Sequence, residues 1–257
     1  MSRTMSVPTL IGLSTLLISP PLSAQSAWTK APPLPKGCYR GQGLDTFDAD
    51  VEKARTSLEA DIETQEQINK RLRDQVFNMD PATLNQRMMA VMQKDPARAP
   101  EIMQAMQSMG TQQGQAPVTA AETERSDFDA KKKKLMADYD ADWRAVLTPS
   151  FQRVHDETGT TATRAAAKAE YNRQYETVVC PRWFGKQVPD LLASYRTFLV
   201  ERQIPARAEA EKTSARMFEL FEIPANDYRP LAEQKAVLDY VRFATDLFLA
   251  RFAEPLK

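Results

Sequence analysis

From Leu44 onward the apolar side chains recur at steps of three and four: Leu44, Phe47, Val51, Ala54, Leu58 and Ile62, then Ile68, Leu72, Val76 and Met79. Such a stripe lines one face of an α-helix, and a strand cannot use it because strand side chains alternate with a period of two. Gln65 is the one polar residue at a stripe position. At about 1.5 Å per residue the segment makes a rod roughly 50 Å long, which needs a partner to cover its apolar face. Alanine, asparagine, aspartate and glutamine dilute the stripe, so a helix of the same chain is expected to cover it rather than a second copy in a parallel zipper. Phe128, Leu135, Tyr139, Trp143 and Val146, with Lys132 in the remaining slot, form a second stripe that stops at Thr148-Pro149. It is the expected partner.

Between the two stripes, Asp80-Pro81 and Asp95-Pro96 each read as an N-cap followed by a proline in the first helical turn. They predict short helices near 81–94 and 97–109, then a loop over 110–126 rich in glycine, glutamine and threonine. Beyond Thr148 the pattern predicts a helix at 150–158, a turn at Gly159, and a helix from Thr161 that turns Ala167, Tyr171, Tyr175 and Val178 inward. Cys180-Pro181-Arg182-Trp183-Phe184-Gly185 reads as an aromatic turn that ends it. Three shorter helices follow, marked by Val188, Leu191, Leu192, Tyr195, Phe198 and Leu199, by Ala208, Ala215, Phe218 and Phe221, and by Leu231, Leu238, Val241, Ala244, Phe248 and Phe252. Pro205, Pro224 and Pro230 fall between them. No alternating stretch supports a strand. The expected fold is all-α: an elongated helical bundle in which 44–147 forms a long hairpin or coiled-coil-like rod with a Met-rich insert at 81–109. The shorter helices of 148–257 pack on it as one domain, and one disulfide ties the whole.

The start of the chain reads as an address. Arg3, an apolar run from Val7 to Ile18, the Pro20-Pro21 break and small residues at Ser23-Ala24 have the layout of a secretory signal peptide at 1–24, with Ala27 as the second cleavage choice. The run is shorter than the roughly 20 residues a membrane span needs. Export places the mature chain in the periplasm of a Gram-negative cell, or outside the cell otherwise, with an extended Pro/Gly leader at 25–43. In such a compartment the two cysteines, Cys38 and Cys180, are expected to pair. Cys38 lies too far past the apolar run to be a lipidation site, and neither cysteine belongs to a C-x-x-C redox motif.

Composition then narrows the chemistry. With 34 basic and 34 acidic residues the chain lacks the basic excess of a nucleic-acid-binding protein. One histidine and two cysteines cannot build a His/Cys zinc centre, and His155, in Arg153-Val154-His155-Asp156-Glu157, reads as a residue near a helix end. The lysines at 131–134 point some 100° apart on a helix and are interspersed with aspartates, so they make a solvated surface. No phosphate loop, dinucleotide fingerprint, nucleophile elbow or zinc-protease motif occurs. No catalytic pair, metal or cofactor is therefore assigned.

The distinctive local feature is methionine. Met79, Met88, Met89, Met92, Met103, Met106 and Met109 cluster in and beside the insert, out of 11 in the chain. Flexible, polarisable thioethers suit adaptable protein-binding surfaces, can ligate Cu(I), and also serve as core filler. Short Met-rich helices opened by Asp-Pro are similar to the client-binding modules of some co-chaperones, over some thirty residues. Leu147-Thr148-Pro149-Ser150-Phe151-Gln152 departs from the Leu-Thr-x-x-Gln element of small exported helical chaperones, because the glutamine comes one residue late. The expected function is that of an exported, non-catalytic helical protein that binds a protein partner through helix faces, with Met88, Met89, Met92, Met103, Met106 and Met109 as contact residues. The alternative is a Met-rich chaperone-like or copper-buffering protein. No integral membrane segment is expected after signal cleavage.

Overall fold

The computed structural model describes residues 27–33, 42–103 and 120–248, and every regular element among them is helical. The chain is thus all-α, as the stripes imply. The helices are α1 (Gln42–Phe77), α2 (Pro81–Lys94), α3 (Ala120–Val146), α4 (Thr148–Val154), α5 (Thr161–Gln174), α6 (Cys180–Arg182), α7 (Val188–Phe198), α8 (Ile204–Leu220) and α9 (Ala232–Phe248). Cys38 lies outside the described residues. The predicted loop is shorter than expected on its C-terminal side: residues 120–126 are already helical, with Glu122 favourably placed in the first turn of α3.

From α5 to α8 the backbone never leaves the helix. Three π-helical turns, Tyr175–Val179, Trp183–Gln187 and Leu199–Gln203, join the pieces, so residues 161–220 form one spine. The breaks expected at Cys180-Pro181 and Pro205 do not occur, and the aromatic turn is a stretch of helix. The physical reason is proline. Inside an α-helix its ring strikes the carbonyl four residues back and it has no N–H to offer. Pro181, Pro189 and Pro205 each follow a π turn by two residues, and the carbonyls at risk, those of Thr177, Gly185 and Glu201, each lie at the middle of one. The residue before each proline donates five positions back instead: Cys180 to Tyr175, Val188 to Trp183 and Ile204 to Leu199. Each widened turn makes room for a ring and adds one residue to the helix. It also turns the face, so Val178, expected inward, is 46% exposed while Val179 is buried.

α3 runs antiparallel along this spine. Phe128 packs on Tyr195 and Phe198 with ring centroids 5.2 Å away in both cases, and Tyr139 packs on Trp183 and Phe184 at 5.7 and 5.8 Å. α9 is central. Ala236, Val237, Leu238, Tyr240, Val241, Phe243, Ala244 and Leu247 are all buried, which means apolar side chains point out around more than half of its circumference. Tyr195 of the spine stacks on its Phe243 at 4.1 Å, and α1 lies against its other side, with Glu59–Arg242 at 2.7 Å and Glu66–Lys235 at 2.5 Å. The long N-terminal rod therefore packs chiefly on the C-terminal helix, where the second stripe was the expected partner. The aromatic face of α3 is already taken up by the spine.

Two further contacts fix this arrangement. The backbone N–H groups of Leu231 and Ala232, left over at the start of α9, donate to the Glu211 carboxylate at 2.8 and 3.1 Å, so a side chain of α8 caps a helix distant in sequence. Part of the segment expected to be an extended leader is instead a docked 3-10 turn, Ala27–Lys30. Ala27 is buried and donates its N–H to Glu233 at 3.1 Å. Trp28 lies edge-on to Tyr240 with the Arg196 guanidinium over its ring at 4.6 Å, and Lys30 pairs with Asp61 of α1.

Candidate functional site

The methionine-rich insert sits at one end of the bundle over a second, smaller core. Its floor is Leu72 and Val76 of α1 together with Met217, Phe218, Leu220, Phe221 and Ile223, all buried. α2 forms because Asp80 caps it, accepting from the Thr83 N–H at 2.9 Å, while Pro81 occupies the first turn where its missing N–H leaves nothing unmade. Hydrogen bonds from Thr83 hold the Asp80 carboxyl below the usual carboxylate value. Asp95 closes α2 and caps the next turn, accepting from the Ala97 N–H at 3.2 Å; helix resumes at 99–103.

The structure divides the six candidate methionines. Met88 and Met92, one turn apart, are half-buried and pack on the floor with Leu84 and Val91. Met89 and Met103 stand out, 51% and 64% exposed. Met106 and Met109 lie outside the described residues. Met88 and Met92 thus share the inward face of α2 and Met89 does not, since adjacent helical positions diverge by about 100°.

Polar side chains that the stripes did not single out hold the insert in place. Arg87 donates to the Phe221 carbonyl at 2.6 Å and reaches the Glu222 carbonyl at 3.4 Å. It thereby satisfies carbonyls at the open C-terminal end of α8, where a cation is also favoured by the helix dipole. That end is a Schellman turn: the Ile223 N–H bonds the Phe218 carbonyl at 2.9 Å, and Glu222 takes the left-handed conformation, φ 52°, that glycine usually fills. Glu101 binds Arg216 at 2.6 Å, and Lys94 approaches Glu222 at 3.7 Å. The polar interruption of the first stripe, Gln65, acts here as well. Its amide donates to the Asp227 carbonyl at 2.8 Å and to Asn69 at 3.0 Å, and buried Asn69 donates to the Arg229 carbonyl at 2.7 Å. Together they clamp the segment between α8 and α9 onto α1.

Elsewhere the charged groups answer one another. Asp239 accepts from Arg207 at 2.9 Å and from Arg125 at 3.4 Å, joining α9 to α8 and α3; burial, with Asp239 adding to it, raises the pKa of the Tyr195 phenol. Of the four consecutive lysines, Lys132 lies over Phe243 and bonds Asp246 at 2.6 Å, whereas Lys134 pairs with Asp138 on the surface. His155 is exposed at the end of α4, its ring 4.5 Å from that of Phe151. Among the described residues no group of three or more histidine, cysteine, aspartate and glutamate side chains could hold a metal ion, and no helix is long and apolar enough to cross a membrane. The chain matches no protein-family profile, no curated protein and no solved structure.

Proposed function

We propose that this is an exported, non-catalytic helical protein that binds another protein through its methionine-rich insert. One observation carries the reading. Four large hydrophobic side chains stand exposed in the described structure, and two of them, Met89 and Met103, are on the insert. Thioethers held at the surface of short, separately capped helices can repack around different apolar partners. The balanced charge of the chain disfavours a nucleic-acid partner, and the apolar run before Pro20-Pro21 supports export. A Cys38–Cys180 bridge belongs to the same reading: Cys180 is fully buried, and an exported chain with two cysteines favours their pairing. Alkylation of Cys180 in the unreduced, denatured chain would remove the bridge from it.

The test is suppression of aggregation of a thermally unfolding client protein. The double variant Met89→Asp, Met103→Asp is expected to lose at least about half of the protection, because a charge on an apolar contact must be desolvated when the partner docks. Val200→Asp, at a site also exposed but away from the insert, should retain it. Equal protection by both variants would overturn the reading. Cu(I) affinity that fell on Met89→Leu, Met103→Leu, with client protection unchanged, would put copper buffering in its place.

A further inference from the structure

We infer that α2 is a displaceable lid, and that the apolar seat beneath it accepts an amphipathic helix of a partner protein in its place. The inference rests on the protein-binding reading above and adds to it the site and the class of ligand. The seat is apolar: Met217, Leu220 and Phe221 are at most 1% exposed and Phe218 is 2% exposed beneath α2, at the end of the spine. Ile102, 1% exposed, anchors the turn that follows α2 in the same core, whereas α2 itself is held lightly. Of the side chains α2 directs inward, only Val91 is buried, while Leu84, Met88 and Met92 remain half-buried. Asp80-Pro81 and Asp95-Pro96 bound the helix at both ends, so it can leave as a unit with its own caps intact. Its polar ties are few: the Arg87 bonds to the end of α8, and an exposed Lys94–Glu222 pair that contributes little.

The lid itself defines the ligand. Leu84, Met88, Val91 and Met92 present apolar groups at i, i+4, i+7 and i+8, with Arg87 at i+3 against the backbone carbonyls of Phe221 and Glu222. A partner helix with that pattern meets the same floor and the same carbonyl pair, which is the helix-in-groove mode of recognition. Methionines at two of the four positions let the seat exchange one occupant for another without a rigid fit.

Two measurements on the full chain test this. Amide hydrogen exchange is expected to show α2 opening faster than α9 in the unaltered protein, and about tenfold faster again in Arg87→Ala, as suits the loss of a hydrogen bond to a charged donor. A fluorescent synthetic peptide of residues 80–95, which retains its own arginine, should bind Arg87→Ala about tenfold more tightly than the unaltered chain. A Met88→Asp, Met92→Asp version of the peptide should not bind, and Arg87→Lys should fall between the two proteins. Exchange of α2 in step with α9, or peptide binding indifferent to Arg87 or to the aspartates, would overturn the lid. Client protection lost on Met89→Asp, Met103→Asp but with no peptide capture would defeat the lid alone. Peptide capture with client protection untouched by those substitutions would defeat the broader reading instead.

Discussion

Trp183→Ala is expected to lower stability by about 3–5 kcal/mol, the range for removing a large buried aromatic ring. For a chain of this size that corresponds to a fall in Tm of roughly 10 °C. Trp183 is 1% exposed and stands where α3 meets the spine, edge-on to Tyr139 with ring centroids 5.7 Å apart and an interplanar angle of 87°. Its indole N–H donates to Asp142 of α3 at 3.1 Å, and the same carboxylate holds Arg182 at 2.7 Å. Two effects are therefore lost together, the packing of a large ring and one hydrogen bond to a charged acceptor. Trp183→Phe separates them. It keeps much of the ring and removes only the bond, and Arg182 still pairs with Asp142, so it should lower stability by about 1–2 kcal/mol. Urea denaturation followed by far-ultraviolet circular dichroism measures both. Equal losses for the two variants would mean that the hydrogen bond, and not the packing, fixes α3 to the spine.

Much of the architecture around this contact is legible in the sequence because it follows from spacing. Val51, Leu58, Ile62, Leu72 and Val76 are buried as the first stripe implies, and α2 spans the residues its two Asp-Pro steps delimit. Helix pairing is less legible. Whether α1 packs on α3 or on α9 depends on which face each leaves uncovered, and α9 differs from an ordinary amphipathic helix in carrying Ala236, Tyr240, Phe243 and Leu247 beside its main stripe. Of the candidate site, the clustering pointed to the methionines but not to what seats them. Arg87 and Asn69 act through backbone carbonyls distant in sequence, and residue spacing carries no signal for such bonds. Gln65 did carry one, since a polar residue at a stripe position has to find a partner when the stripe is covered.

The spine carries a subtler signal. Its buried positions Ala167, Tyr171, Tyr175, Val179 and Trp183 advance in steps of four, as do Phe184, Val188 and Leu192 and then Tyr195, Leu199 and Gln203, where an α-helical turn takes 3.6 residues. An unbroken α-helix cannot keep such a stripe on one side, because each step of four overshoots a turn by about 40°. Three prolines spaced along the same stretch supply the correction, since the wide turn that each one requires absorbs one extra residue. Treating a proline as a terminator leads to Val178 as the inward residue; treating the period of four as information leads to Val179.

This account of the spine makes a sharp prediction about deletions. Removing Val178, an exposed residue within the first π turn, takes out the extra residue and would leave an ordinary α-helix in the same register on both sides. Pro181 forbids that helix, because its ring would then strike a carbonyl four residues back. The single deletion is therefore expected to lose about 3 kcal/mol or more, the cost of proline in a helix interior. Deleting Val178 together with Pro181→Ala should recover most of that loss. Deleting Ala193, also exposed but within regular α-helix, has no such remedy. It rotates Trp183, Phe184, Val188 and Leu192 by about 100° against Tyr195, Phe198 and Leu199, so α3 and α9 can no longer pack on both halves of the spine at once. That loss should exceed the whole stability of a domain, about 5–15 kcal/mol, and leave no cooperative unfolding transition. Calorimetry of the three variants decides the matter. If the Val178 deletion were no better tolerated after Pro181→Ala, the π turn would be fixed by its packing partners and not by the proline.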